Sequence, residues 1–409
     1  MSKIDELIEK LCPDGVAVKK LGEVGVFIRG NGLQKKDFQE KGVGCIHYGQ
    51  IYTYYKTAVY KTKSFVSIEF SKKLKRANTN DLIIAGVSEN IEDVCKTVVW
   101  LGDGEICVSG DTFIFKHKEN GKYLAYLLQL ENFNQYKRQY AIGAKVTRLR
   151  IEKLKNYLVP IPPIEIQNTI VELLDQYASL EAELEAELEA RKTQYEHYRD
   201  VLLSFESKNV EWKTLGDIGN FTRGKRFVKL DIQNEGTPCI HYGEMYTHYK
   251  IWARQSKSFL NPELASRLRS AKPNDIIIVA AGETIEDIGQ GIAWLGDTDV
   301  VIHDACFAYS HSMHPNFVAH FLQTDIFHSQ IKKHISSGKI SSINASGLSK
   351  AKIPVPPIEI QKQIADVLDK FHMLVNDIST GIPAEIKARR KQYEYYRNKL
   401  LTFKHRSNG

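Results

Sequence analysis

Hydrogen-bonding aromatic side chains beside a cation occur twice in this sequence, 194 residues apart. The segment Cys45–Lys56 (CIHYGQIYTYYK) returns as Cys239–Lys250 (CIHYGEMYTHYK), with nine identities in twelve positions. Imidazole, phenol and ammonium groups can contact phosphates and base edges together, so both segments are predicted to bind DNA. The predicted residues are His47, Tyr48, Tyr52, Tyr54, Tyr55 and Lys56, and His241, Tyr242, Tyr246, His248, Tyr249 and Lys250. Alternatively, the tyrosines are packed half inside a strand.

Two basic loops recur at the same interval. Arg29–Gly30 matches Arg223–Gly224, and the stretch 143–148 matches 338–341. Glycine beside Lys, Arg and hydroxyl groups lets the backbone approach a phosphate closely. The residues added to the predicted DNA-binding set are Arg29, Lys145, Thr147, Arg148, Arg223, Lys225, Lys339 and Ser341. Ordinary surface loops would have the same composition.

The motifs of catalytic sites are incomplete in this sequence. The stretch 219–226 (GNFTRGKR) resembles a phosphate-binding loop, but Arg226 stands where Ser or Thr would bind magnesium. No carboxylate pair followed by Glu-x-Lys lies near Asp81 or Asp275, and an adenine methyltransferase's Asn-Pro-Pro-Tyr-type tetrapeptide is missing. His303–Asp304 lacks further ligands at metal spacing. We therefore expect neither catalytic residues nor metal ligands in this chain.

The repeat extends over the whole chain. The stretch 100–103 (WLGD) returns at 294–297, and 160–167 (PIPPIEIQ) returns as PVPPIEIQ at 354–361. Two copies of a long unit indicate a duplicated domain pair. Each copy begins with short β-branched and aromatic runs typical of a mixed α/β domain, followed by a proline hinge that prepares a helix start. The predicted segments are domains at 1–163 and 207–357, and helical segments at 164–206 and 358–409.

Both helical segments have a narrow apolar seam. Apolar residues step by threes and fours from Ile166 to Phe205 and from Ile360 to Phe403, as in a coiled coil. Gly381 and Pro383 should break or kink the second helix. The predicted fold is α+β, with two similar mixed α/β domains in a pseudo-twofold arrangement, separated by two long helices forming an antiparallel coiled coil. Alternatively, each helix docks on its own domain.

Charge is divided between these segments. The chain has 409 residues and a formal net charge of +7, but residues 1–163 carry 26 Lys and Arg against 18 Asp and Glu, whereas 164–206 carry 3 against 11. The basic charge therefore belongs to the domains. No apolar run is long enough to span a bilayer, and the start lacks a signal-peptide core, so we expect a cytoplasmic protein. Six scattered cysteines indicate reduced, packed thiols.

Two domains, each followed by a Pro-x-Pro-Pro-x-Glu-x-Gln hinge and a helix ending in Gln-Tyr-Glu-x-Tyr-Arg (194–199 and 392–397), resemble the specificity subunit of type I restriction-modification systems. The resemblance covers essentially the whole chain. It implies a non-catalytic subunit whose domains each read one half of a split double-stranded DNA target. It further implies that the helices set the gap and dock two methyltransferase subunits, with motor-nuclease subunits completing the complex. S-adenosylmethionine, ATP and magnesium are expected on those partners, and no cofactor on this chain.

The shared segments 45–56 and 239–250 suggest related half-targets, giving a partly palindromic interrupted site. Two other functions remain open. The chain could be a bipartite DNA-binding regulator that acts without enzymatic partners, or a restriction enzyme that acts alone.

Overall fold

The computed structural model describes residues 3–143, 146–205, 210–338 and 340–404. The chain divides into two compact units, Met1–Glu183 with Lys387–Gly409, and Leu184–Ile386. Each unit contains a mixed α/β domain with a similar succession of strands and helices. The predicted α+β class with two similar domains is therefore confirmed.

The first unit is built on two main sheets. Its strands are β1 (Val18–Lys20), β2 (Gly25–Arg29), β3 (Val43–Ile46), β4 (Ala58–Val59), β5 (Ser64–Val66), β6 (Arg76–Ala77), β7 (Leu82–Ala85), β8 (Val87–Ser88), β9 (Thr97–Trp100), β10 (Ile106–Val108), β11 (Thr112–His117), β12 (Thr147–Arg148) and β13 (Leu158–Pro160). The five-stranded sheet has the order β2-β11-β7-β9-β4 and the four-stranded sheet β5-β3-β10-β6, with pairs β1-β13 and β12-β8 beside them. Side chains of both main sheets, including Ile46 and Ile83, share one buried cluster.

The second unit repeats this plan. Its strands are β14 (Trp212–Thr214), β15 (Gly219–Arg223), β16 (Ile232–Gln233), β17 (Thr237–Ile240), β18 (Trp252–Ala253), β19 (Ser258–Leu260), β20 (Ser270–Ala271), β21 (Ile276–Val279), β22 (Ala281–Gly282), β23 (Gly291–Trp294), β24 (Val300–Ile302), β25 (Cys306–His311), β26 (Ser341–Ser342) and β27 (Lys352–Pro354). The sheet orders are β15-β25-β21-β23-β18 and β16-β19-β17-β24-β20, with pairs β14-β27 and β22-β26. All four residues of the central strand β21 are buried, as in a strand covered on both faces.

Helices complete both units. They are α1 (Lys3–Leu11), α2 (Leu21–Val24), α3 (Tyr48–Thr53), α4 (Ile68–Ser71), α5 (Gly121–Leu127), α6 (Glu131–Tyr140), α7 (Ile151–Asn156), α8 (Ile164–Ser204), α9 (Leu215–Ile218), α10 (Tyr242–Thr247), α11 (Pro262–Ala265), α12 (Pro315–Phe321), α13 (Asp325–Lys332), α14 (Ala345–Ser349), α15 (Ile358–Asn376) and α16 (Ile382–Leu400). Short 3-10 helices lie at Lys35–Asp37 and Lys229–Asp231. The 41-residue helix α8 confirms the long helix expected after the first hinge.

A buried glutamine explains the form of both hinges. Gln167 donates a hydrogen bond to the carbonyl of Pro162 at 2.8 Å, and its side-chain oxygen accepts from the backbone N–H of Asn120 at 3.0 Å. Gln361 does the same with the carbonyl of Pro356 at 2.8 Å and the N–H of His314 at 2.9 Å. Because buried polar groups must be paired, this amide fixes the first turn of each helix against the preceding domain.

Within each unit, two helical segments pack antiparallel. In the first unit the rings of Tyr177 (α8) and Tyr396 (α16) stack with centroids 5.3 Å apart, and Glu181 accepts from Nε of Arg390 at 2.5 Å. In the second unit Tyr195 and Tyr198 of α8 lie 5.9 Å from His372 and 5.6 Å from Phe371 of α15, respectively, so the residue numbers again run in opposite directions. The helices also dock on their own domains, since residues such as Ile166, Ile170 and Leu174 are buried in the core of the first unit. Both arrangements considered from the sequence therefore occur together.

An aspartate on a long helix is clamped by the domain in each unit. In the first unit Asp175 of α8 accepts from Nζ of Lys122 at 2.6 Å and from the hydroxyl of Tyr126 at 2.7 Å, both on α5. In the second unit Asp369 of α15 lies 2.6 Å from the Asn316 amide nitrogen and 2.7 Å from Nε2 of His320, both on α12. The other ring nitrogen of His320 lies 3.2 Å from the hydroxyl of Tyr195 on α8.

The second helical segment is broken where glycine and proline predicted a break. Helix α15 ends at Asn376 and α16 begins at Ile382, so this segment consists of two helices of 19 residues and not one long helix. Asp377 accepts from the backbone N–H of Ser379 at 2.7 Å in the connecting turn. A Cβ at Gly381 would stand 2.5 Å from the carbonyl oxygen of Met373, so only glycine fits this close approach.

The cysteines are reduced thiols, and all but Cys12 are buried. Burial raises the pKa of Cys95 and Cys306 to about 12. A thiol with such a pKa carries almost no thiolate at neutral pH and is a poor nucleophile. The structure therefore contains the packed thiols that the sequence predicted.

Candidate nucleic-acid interface

The two repeated histidines begin short helices. His47 follows β3, and its Nδ1 accepts from the backbone N–H of Gly49 at 3.2 Å at the start of α3. His241 follows β17 and accepts from Gly243 at the same distance at the start of α10. The alternative that these segments are half-buried strands is wrong, because each histidine caps a helix and the tyrosines lie on or just beyond it.

These histidines are neutral at pH 7. Burial lowers the pKa of both His47 and His241, and the ammonium of Lys35 lowers that of His47 further. Since Nδ1 accepts a hydrogen bond, the proton of each neutral ring is placed on Nε2. Each ring can therefore offer one N–H donor.

The tyrosines of the first segment divide into structural and exposed groups. The hydroxyl of Tyr52 donates to the carbonyl of Val87, and that of Tyr55 accepts from the backbone N–H of Lys63 at 2.7 Å. Burial raises the pKa of both phenols, so they remain protonated. Tyr54 is 55% exposed, with the ammonium of Lys63 4.3 Å from its ring centroid. Tyr48 is half-buried and Lys56 is exposed.

The second segment differs in one contact. Tyr249 accepts from the backbone N–H of Lys257 at 2.8 Å, in the manner of Tyr55. The buried hydroxyl of Tyr246, by contrast, has no hydrogen-bond partner in the described part of the chain. Tyr242 is half-buried, and both His248 and Lys250 are exposed.

The predicted arginines occupy equivalent positions in the two units. Nε of Arg29 donates to the carbonyl of Gly110 at 3.0 Å, and Nε of Arg223 donates to the carbonyl of Asp304 at 2.9 Å. Both arginines are exposed, and this contact holds each at the end of a strand. Packing within the domain requires the glycine that follows Arg29, because a Cβ at Gly30 would stand 2.1 Å from the carbonyl oxygen of Ser109. It is therefore not evidence for a phosphate.

In the second pair of predicted loops, 143–148 and 338–341, both hydroxyl residues are packed inside the domain. Thr147 and Ser341 are buried in the short strands β12 and β26, whereas Arg148 is exposed. Lys145 and Lys339 lie outside the described residues. Lys225 donates from Nζ to the carbonyl of Arg267 at 2.8 Å. Its loop is thereby tied to the neighbouring turn, although the residue remains exposed.

In the first unit, Arg29 and Arg148 line the same cavity, with a volume of about 460 Å³. Arg150 and Lys155 also line it and were not predicted from the sequence. Arg29 is partly neutralised here, because a guanidinium nitrogen lies 3.8 Å from a carboxylate oxygen of Asp111. The cavity is nonetheless rich in cations.

In the second unit the predicted residues line three cavities. His248, Tyr249 and Lys250 line one of about 650 Å³. Arg223, His241 and Tyr242 line another of about 810 Å³. Tyr246, Tyr249 and Lys250 line a third of about 220 Å³, which also includes residues of α8 and α15. Sequence reasoning missed four lining residues of the largest of the three: Arg226, Phe227, Lys229 and His303. Comparing equivalent positions of the repeat could have found His303, which stands where the first copy has Ser109.

Two further kinds of feature are absent from residues 3–143, 146–205, 210–338 and 340–404. In these ranges, no group of three or more His, Cys, Asp or Glu side chains is arranged to hold a metal ion. Nor does any helix there combine the length and apolar character needed to cross a membrane.

Comparisons with known proteins agree with the duplicated fold. The family model for the type I restriction modification DNA specificity domain matches twice, at residues 13–190 and 207–388. The specificity subunit of the type I restriction enzyme EcoR124I/EcoR124II of Escherichia coli is 34% identical over 261 residues, covering 60% of this chain and 63% of that relative. This alignment thus spans less than two thirds of the E. coli protein. A Haemophilus influenzae protein named as a type I restriction enzyme specificity subunit is 31% identical over 303 residues, covering 70% of this chain and 74% of the relative.

Solved structures share the fold. The crystal structure of the type I restriction-modification S subunit from M. genitalium has a TM-score of 0.52 and 14% identity, with 94% of this chain and 96% of that chain covered. A chain from a structural study of type I restriction-modification complex assembly has a TM-score of 0.65 and 13% identity, with 95% and 97% covered. Because the family model matches most of the sequence in two copies, the chain belongs to the type I restriction-modification DNA specificity family.

Proposed function

We propose that this chain is the sequence-specific DNA-binding subunit of a type I restriction-modification complex and is not itself catalytic. Each domain reads one half of a split double-stranded target, and the helical segments set the gap between the halves. The recognition domains comprise 1–163 and 207–357, and the spacer segments 164–206 and 358–409. The E. coli and H. influenzae relatives are both named as specificity subunits, which supports this proposal over the two alternatives.

One observation carries this proposal. Each unit has an exposed arginine at the equivalent position of its five-stranded sheet. Arg29 pairs in register with Phe113, and Arg223 pairs with Phe307. Each arginine is held by the same kind of hydrogen bond from Nε to a backbone carbonyl, a contact that does not use the outer guanidinium nitrogens. A cation held in the same way in two duplicated domains suits recognition of two stretches of a polyanion.

Family membership supports a proposal for the partners and cofactors. Two methyltransferase subunits, which bind S-adenosylmethionine, dock on the helical segments, and motor-nuclease subunits supply ATP- and magnesium-dependent translocation and cleavage. The complex acts in the cytoplasm, where its DNA substrate is found. The E. coli relative is named as the specificity subunit of a restriction enzyme, which supports partners of this kind.

The test uses the chain co-expressed with its methyltransferase subunit. Methylated sites mapped by sequencing should reveal one interrupted motif. Arg29→Ala and Arg223→Ala should each weaken DNA binding and lower the slope of log affinity against log salt by about 1 if the lost contact is to a phosphate. We propose the same effect for alanine at Lys145 or Lys339.

Arg138→Ala provides a charge-matched control. Arg138 is exposed on α6, where it is paired with Glu131 at 2.7 Å, and it lines neither of the cavities that contain the predicted arginines. This variant should keep the wild-type slope. Cleavage of DNA by the purified chain without partners would favour the stand-alone enzyme, and specific binding in a complex that never methylates would favour the regulator.

A further inference from the structure

The largest of the three cavities of the second unit has a distinctive lining. It lies between the end of β15, the start of α10 and the turn between β24 and β25, with a volume of about 810 Å³. We call it the His303 cavity, after the residue at that turn. The lining residues used below are Arg226, Phe227, Lys229, His241, Tyr242 and His303.

Four rings pack together in the wall of the His303 cavity. The ring of His303 lies 4.6 Å from that of His241, 5.0 Å from Tyr242 and 5.2 Å from Phe227, measured between centroids. Burial lowers the pKa of His303 and of His241, so both imidazoles are neutral at pH 7. Neutral rings with hydrogen-bonding edges form a firm surface against which the edge or face of a nucleobase can rest.

The charged groups of the cavity are mixed in sign. Arg226 and Lys229 are exposed, and neither has an ion-pair partner in the described part of the chain. The carboxylates of Glu283 and Asp304 also line the cavity. These carboxylates would repel a bare phosphate, whereas a base edge presents both donors and acceptors. The mixture therefore favours a base edge with its adjoining phosphate.

The first unit carries different groups at the equivalent positions. The register of the two sheets is the same, because Cys45 pairs with Cys107 and Cys239 with Val301. Ser109 therefore stands where the second unit has His303, and its hydroxyl accepts from the backbone N–H of Tyr48 at 3.0 Å. Likewise Gly32 stands in place of Arg226 and Leu33 in place of Phe227. The similar segments 45–56 and 239–250 are thus surrounded by different side chains in the two units.

We propose that the His303 cavity binds a nucleobase edge of one half of the DNA target together with its adjoining phosphate. Arg226 and His303 determine specificity there, and they make the half-target of the second unit differ from that of the first by at least one base pair. This inference rests on the proposed function. It also limits the palindromic character expected from the shared segments, because only contacts common to both units can select the same base.

The test compares Arg226→Ala and His303→Ser, which supplies the residue of the first unit, in the complex with the methyltransferase subunit. Methylated sites are mapped genome-wide, and affinities are measured on cognate DNA and on DNA altered in one half. Each variant should relax the motif at one or two adjacent base pairs of a single half-target, leaving the other half unchanged. Affinity for cognate DNA should fall about tenfold or more, as expected for loss of a base contact.

Lys213→Ala is the charge-matched control, because Lys213 belongs to the second unit but pairs with Glu211 at 3.3 Å and does not line the cavity. It should leave the motif unchanged. An unaltered motif in both Arg226→Ala and His303→Ser would overturn the inference, and so would an equal loss of affinity on all sequences. Because Arg226 is exposed, Arg226→Ala should fold, and it tests the inference even if His303→Ser does not fold. A wild-type complex without any defined motif would instead refute the proposed function.

Discussion

Replacing Asp369 by alanine should destabilise the second unit by about 3 kcal/mol. This carboxylate lies 2.7 Å from Nε2 of His320 and 2.6 Å from the amide nitrogen of Asn316. The His320 side chain is fully buried, and burial lowers its pKa, so the neutral ring cannot exchange its partner for water. An unpaired buried donor costs about 1–3 kcal/mol, and two donors lose their acceptor here.

Hydrogen exchange read by mass spectrometry suits this measurement, because a chain of two units has no single unfolding free energy. Peptides from α12 and α15 should lose protection, and the fluorescence of Trp252 should change, since its ring lies 5.4 Å from that of His372. Asp366→Ala is the matched control, because Asp366 is exposed on the same helix. If the two variants differed by less than about 0.5 kcal/mol, the reasoning that Asp369 clamps α15 to the domain would be refuted.

Two other predictions concern the equivalent tyrosines Tyr52 and Tyr246 and the loss of stability at acidic pH. Tyr52→Phe removes the hydrogen bond to Val87 and should lower the stability of the first unit by about 1 kcal/mol. Tyr246→Phe should leave the stability of the second unit unchanged, because the Tyr246 hydroxyl has no partner in the described part of the chain. Hydrogen exchange of peptides from each unit measures both effects, and equal losses of protection would contradict this prediction. Burial lowers the pKa of His311 and His372 from 6.5 to about 4, so the unfolded chain binds protons that the folded unit does not. Stability should therefore be complete above pH 6.5 and fall as the pH drops towards 4, by about 2 kcal/mol for each histidine at pH 5. Hydrogen exchange of second-unit peptides at pH 7 and 5, corrected for intrinsic rates, checks this; unchanged protection would count against it.

The domains, hinges and helices could be predicted from the sequence because each depends on a local pattern. The repeat at 194 residues predicted two similar domains, prolines before Ile164 and Ile358 predicted helix starts, and Gly381 with Pro383 predicted the break. These patterns act through backbone geometry and apolar periodicity, which need no knowledge of distant residues. The short helices after His47 and His241 were missed, because one or two turns bounded by aromatic residues resemble a strand.

The candidate interface was only partly predictable. The sequence identified which chemical groups recur, but not which of them are free to bind. Tyr55 and Tyr249 proved to accept hydrogen bonds from the backbone, and Lys225 to donate to a carbonyl. Such contacts join residues 8 to 42 positions apart and have no periodic signature in the chain.

The sequence by itself determined the duplication, the basic domains flanking an acidic helix, and the resemblance to a known family, because composition, spacing and repetition are properties of the chain alone. The tertiary structure decided which side chains line the His303 cavity and which aspartates hold the helices. The His303 cavity requires strands β17 and β24, more than fifty residues apart in sequence, to lie side by side in one register. A one-residue shift in that register would turn each side chain to the opposite face.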